Sequence, residues 1–115
     1  MATIRREIPL AAAPSAVWAA LRDIGAVPRR LAGGFVRETR MEGDVRVVSF
    51  ADGLVVRELI VAVDEVERRV AYAVVDGLPE GAHHHASMQV VEDGGRGCRL
   101  VWLTDVYPHE LAGRL

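Results

Sequence analysis

The chain has 115 residues, half of them apolar, with 14 basic against 16 acidic side chains and a formal net charge of −2. That length accommodates one domain rather than two, and the apolar half is enough for a core, which excludes intrinsic disorder. Charges of both signs are interspersed, so no basic stripe is offered to nucleic acid, and no apolar run approaches the roughly 20 residues of a membrane-spanning helix.

All 14 cations are Arg and none is Lys, which with the Ala, Val and Gly content points to a GC-rich, bacterial genome. Cys98 is the only cysteine, so no intramolecular disulfide can form. That fits a reducing compartment, and the start of the chain lacks a secretory pattern. A cytoplasmic protein is expected, folded as one domain over residues 1–115.

Residues 3–10 alternate. Ile4, Ile8 and Leu10 share one face, interrupted by Arg6, with Arg5 and Glu7 opposite, which predicts a half-buried strand. Pro9 then belongs where no ladder partner needs its N–H. Residues 11–23 switch to helical spacing, with Pro14 in the first turn and Val17, Trp18 and Leu21 on one face. Gly25 reads as the helix stop. A second short helical piece is expected over 26–32, broken by Gly33-Gly34.

From there the pattern is strands and turns. Strands are expected over 35–41, 45–50, 54–64, 69–75, 84–92 and 98–107. Gly43, Asp52-Gly53, the charged run 65–68, Asp76-Gly77 and the Gly-rich 93–97 mark the turns between them. Pro108 and the residues after it begin a helix. Strands joined by short turns form an antiparallel meander, and their separation from the helices gives an α+β fold.

This order resembles the START-like, or SRPBCC, superfamily, which includes polyketide cyclases and the birch pollen allergen. The likeness rests on Ala13-Pro14-Ser15-Ala16-Val17-Trp18 entering the first helix, on Gly33-Gly34 and on the Asp52-Gly53 hairpin. Val56-Arg57-Glu58, Ile60-Val61-Ala62-Val63-Asp64 and the closing strand 98–104 complete it. The resemblance spans nearly the whole chain and implies a helix-grip fold. In that fold a curved antiparallel sheet of six or seven strands encloses a hydrophobic cavity, with two short helices after the first strand. The long C-terminal helix that closes the cavity in that family is short or missing here. An uncovered apolar groove invites association, so either a homodimer or a longer native chain is expected.

The strands carry the candidate site. On the expected strand 84–92, His84, Met88 and Val90 are assigned inward, with Trp102 beside them. The inward phase of the last strand is otherwise open, because both its faces are largely apolar. Arg57 and Glu58 are adjacent in mid-strand, so one of them points inward unless a bulge intervenes. Arg57 would orient a ligand carbonyl or carboxylate, and Glu58 would accept a proton. The plainer alternative is a cross-strand ion pair on a wet face. Tyr72 and Trp102 supply rings with a polar handle for a cavity wall, and Asp105 and Tyr107 lie near its end.

His83-His84-His85 invites a zinc reading through His83 and His85, which share a face. Without a third and fourth ligand, a polar strand start is the simpler account. Cys98 reads as a small buried hydrophobe. No phosphate loop, nucleophile elbow or dinucleotide fingerprint is present, and no cofactor is implied.

The leading expectation is therefore binding of a small hydrophobic ligand, a lipid, polyketide or aromatic compound, by Arg57, Glu58, Tyr72, His84, Met88, Trp102 and Asp105. A cyclase or aromatase using His84 or Glu58 as base is the alternative. A protein-interaction module docking through the groove is a third.

Overall fold

The computed structural model describes residues 2–26, 34, 36–94 and 97–108. The chain begins with strand β1 (Ala2–Leu10), followed by helix α1 (Pro14–Leu21). Six more strands follow: β2 (Val36–Glu42), β3 (Val45–Phe50), β4 (Val55–Asp64), β5 (Arg69–Asp76), β6 (His83–Glu92) and β7 (Cys98–Tyr107). They form one antiparallel sheet in the order β1-β7-β6-β5-β4-β3-β2. Every neighbouring pair except β1–β7 is a consecutive hairpin, which is the expected meander.

The helix forms where Pro14 supplies a preset φ in its first turn and the Ala13 carbonyl accepts from the N–H groups of Ala16 and Val17. It ends before Gly25, in a tight turn where Ile24 N–H donates to the Arg22 carbonyl. One helix follows β1 among the described residues. The second helical piece expected over 26–32 lies outside them except for Ala26, which sits in a turn. The expected C-terminal helix also falls outside them. Pro9 lies in β1, an edge strand of the sheet, where a missing N–H is tolerated.

Turn chemistry fixes the register. Gly43 and Gly53 adopt positive φ in the β2–β3 and β3–β4 turns. In the latter, Phe50 N–H donates to the Leu54 carbonyl and the Asp52 side chain accepts from Leu54 N–H. In the β4–β5 turn, Asp64 Oδ1 accepts from the N–H groups of Val66 and Glu67. Gly77 has φ 101°, and a Cβ there would stand 2.5 Å from the Val55 carbonyl oxygen, so no side chain fits.

Helix α1 lies on one face of the sheet, called here the inner face. Trp18 and Leu21 pack with Val70, Met88, Val90, Cys98 and Leu100, and Leu10, Val17, Ile24 and Trp102 border that cluster. Each such side chain contributes ~1.5–3 kcal/mol by leaving water. The Trp18 indole N–H also donates to Glu65 Oε2 at 2.7 Å, and Glu65 bonds Arg22, pinning the helix to the β4–β5 turn. Among the described residues, no helix is long and apolar enough to cross a membrane.

Candidate functional site

Residues opposed across an antiparallel ladder share a face, so the register assigns the strand positions away from bulges, and at the Arg57/Glu58 bulge the regular pairing with β3 decides. One inner-face row runs from Arg46 through Glu58 to Val74. The next runs from Ile60 through Tyr72, Ala86 and Thr104 to Ile4. His84 opposes Val106 on one side of that row, and Met88 opposes Trp102 on the other. Two bulges, at Arg57/Glu58 and at Ile60/Ala62, shift the β4–β5 register.

Five of the seven candidate residues therefore lie on the inner face: Glu58, Tyr72, His84, Met88 and Trp102. Arg57 and Asp105 do not join them. Arg57 opposes Val47 on the outer face and bonds Glu42 at 2.7 Å. Asp105 opposes Thr3 and His85 there, and accepts from the Thr3 hydroxyl at 2.6 Å. Among the described residues neither has a partner on the inner face, because alternation sends each away from its inward neighbours Glu58 and Thr104.

The residue that sequence reasoning missed is Arg46. It is only 3 % exposed, the most deeply buried charge among the described residues. Its Nε donates to Glu58 Oε1 at 2.9 Å and one terminal nitrogen donates to the Ile24 carbonyl at 2.9 Å. The guanidinium carbon lies 4.9 Å from the Tyr72 ring centroid, a cation–π contact. A signal was present. The Asp52-Gly53 turn pairs Phe50 with Leu54, and counting outward brings Arg46 opposite Glu58.

Electrostatics set the state of each group. Burial raises the Glu58 carboxyl above its ordinary value, although the Arg46 charge and hydrogen bond act to lower it. Burial, and then the nearby Glu58 charge, raise Tyr72 far above its usual value, so it stays a neutral phenol. His84 stacks on Tyr72 with ring centroids 6.1 Å apart, and burial lowers its pKa below 6.5. It is therefore neutral at pH 7.

Two polar atoms in this group lack partners. His84 Nδ1 is buried with no hydrogen bond. Trp102 Nε1 lies beside the Tyr72 hydroxyl, near enough to favour its ionised form, but the geometry falls short of a hydrogen bond and Nε1 stays buried and unpaired. Apolar side chains surround the cluster, with Ala86, Met88 and Val106 almost fully buried.

Among the described residues, no cluster of three or more His, Cys, Asp or Glu is arranged to hold a metal. His83 points to the outer face, 6.3 Å from the Tyr107 ring. Cys98 is buried in the core beneath α1. An open cleft of about 400 Å³ lies at another part of the sheet, lined by Pro9, Leu10, Ala11, Asp93, Gly97 and Cys98. Apart from Asp93 and the buried Cys98 thiol its lining carries no titratable group.

A family model described as polyketide cyclase / dehydrase and lipid transport matches residues 1–115. The curated proteins contain no match. Among solved structures, norcoclaurine synthase from Thalictrum flavum, in complex with dopamine and hydroxybenzaldehyde, superposes with a TM-score of 0.79 at 19% identity. That likeness covers 96% of this chain and 73% of the synthase chain. A solution structure from Thermobifida fusca is 28% identical with a TM-score of 0.77, over 100% of this chain and 80% of that one. Ginseng major latex-like protein 151, from Panax ginseng, is 19% identical with a TM-score of 0.73, over 91% of this chain and 78% of its own.

Proposed function

We propose that this chain, which belongs to the polyketide cyclase/dehydrase and lipid transport family, binds a small hydrophobic molecule against the inner face of its sheet. The observation that carries this reading is the pair of buried, unpartnered polar atoms, His84 Nδ1 and Trp102 Nε1, on a largely apolar wall. Leaving such an atom unsatisfied costs ~1–3 kcal/mol. A ligand whose body covers Met88 and Ala86 and whose polar group reaches these atoms recovers that cost on binding. Norcoclaurine synthase, whose fold this chain shares, is in complex with dopamine and hydroxybenzaldehyde, which supports small-molecule binding as the reading.

The enzyme reading has one specific observation in its favour. Glu58 is committed to Arg46, whereas His84 is neutral and its Nδ1 is unengaged. In a cyclase- or dehydrase-type reaction the proton acceptor would therefore be His84 rather than Glu58.

Native mass spectrometry of the purified protein tests the binding proposal and reports oligomeric state in the same spectrum. A bound compound of a few hundred daltons is expected. For empty protein, saturable uptake of the neutral probe N-phenyl-1-naphthylamine is expected instead, blocked by the inner-face substitution Val74→Trp. Protein that carries no ligand and takes up no apolar probe would refute it.

A further inference from the structure

Resting on that binding site, the polar groups of the inner face also constrain what the ligand carries. The Arg46 guanidinium is held by the Glu58 carboxylate, by the Ile24 carbonyl and by the Tyr72 ring. The two opposite charges cancel, and Arg46 is oriented by three separate partners. Arg6, cross-strand from Trp102, is exposed on the edge strand and has an interaction of its own. Among the described residues, the buried part of the site therefore offers an incoming ion no uncompensated countercharge. Burying an unpaired charge against such a wall is strongly unfavourable.

What the wall leaves to a ligand is neutral hydrogen bonding, at the buried, unpaired His84 Nδ1 and Trp102 Nε1 and at the hydroxyls of Tyr72 and Thr104 on the same face. The indole N–H can only donate, so it needs an acceptor. A neutral imidazole presents either a bare Nδ1 or an Nδ1–H, depending on its tautomer. A hydroxyl suits either atom: its oxygen can accept from Trp102, and it can donate to a bare His84 Nδ1 or accept from Nδ1–H. A carbonyl or ether oxygen accepts only. A carboxylate accepts but carries its charge into the site.

We infer that the site selects uncharged ligands bearing a hydroxyl, and that His84 and Trp102 are the specificity-determining residues that read it. Arg46 and Glu58, by neutralising each other, are positioning residues that keep the wall from recruiting a carboxylate or an amine.

Calorimetric titration with four probes of one shape tests this: naphthalene, 2-naphthol, 2-methoxynaphthalene and 2-naphthoate, all at pH 7. The naphthol should bind roughly tenfold more tightly than its methyl ether, the worth of one good hydrogen bond, and naphthoate should bind more weakly than naphthalene. His84→Phe and Trp102→Phe keep a ring but lose the polar atom. His84→Phe should reduce the preference for naphthol over its ether to within about threefold, and Trp102→Phe the preference for naphthol over naphthalene; unchanged circular dichroism shows that the variants are folded.

Naphthalene binding with no gain from the hydroxyl would overturn this inference and leave the binding proposal standing. The same holds for tighter binding of naphthoate, or for a preference that survives both variants. Failure of every probe to bind would overturn both.

Discussion

Removing Arg46 gives the sharpest test of the site's electrostatics. In Arg46→Met the side-chain volume is roughly kept, but Glu58 loses its ion-pair partner at 2.9 Å while its own side chain is only 13 % exposed. Breaking a buried pair from one side costs ~3–5 kcal/mol, because the remaining charge is uncompensated. That is a large fraction of the ~5–15 kcal/mol available to a domain of this size. With a urea dependence of ~1–3 kcal/mol per molar, the unfolding midpoint should fall by about 2 M. The loss should also depend on pH. Burial already holds the Glu58 carboxyl above 4.5, and without Arg46 it rises further. The folded state then binds more protons than the unfolded state, so stability falls as pH rises from 4.5 through the raised value. Urea unfolding of Arg46→Met should therefore show a smaller loss at pH 5 than at pH 8. The double variant Arg46→Met/Glu58→Leu should recover most of the loss, since it leaves no buried charge unpaired and only the Ile24 carbonyl without its donor. A single variant that loses less than ~1 kcal/mol at pH 8, or a double variant no better than the single, would refute the reasoning.

Four further outcomes are expected. The His84 ring, followed by NMR, should titrate below 6.5, because burial favours its neutral form; stability from this group is present above 6.5 and is lost as pH falls below it, and His84→Phe should remove that dependence. Trp18→Ala should destabilise by ~3–5 kcal/mol through its cavity and the lost bond to Glu65, with Trp18→Phe costing about a third of that in thermal unfolding. Gly77→Ala should destabilise clearly more than Gly53→Ala in the same assay: both have positive φ, but only at Gly77 would the new Cβ meet backbone, whereas nothing stands within 4 Å at Gly53. Arg57→Ala, on the outer face, should leave probe affinity unchanged in the calorimetric titration, and a loss of binding there would contradict the face assignment.

Much of the fold was legible in the residues. The turns at Gly43, Asp52-Gly53 and Asp76-Gly77 carry residues suited to positive φ or to side-chain capping of the backbone, so strand boundaries and the meander follow from them locally. The helix announced itself through Pro14 and the 3.6-residue spacing of Trp18 and Leu21. Arg46 was missed although turn counting placed it opposite Glu58, because a lone Arg in a strand reads as a wet face until its partner is counted.

Alternation in a strand says which residues share a face but not which face is covered. The sequence by itself set, wherever no bulge intervenes, that Glu58 and Arg57 point apart, that Thr104 and Asp105 do, and that His84 parts from its two neighbours. Only the tertiary structure decided which of each pair points inward. The packing of α1 against Val70, Met88 and Leu100 defines the inner face, and two bulges carry β4 into register with β5. Those contacts join residues far apart in the chain, so no local pattern could specify them, and on them depends whether a charge meets water or a buried partner.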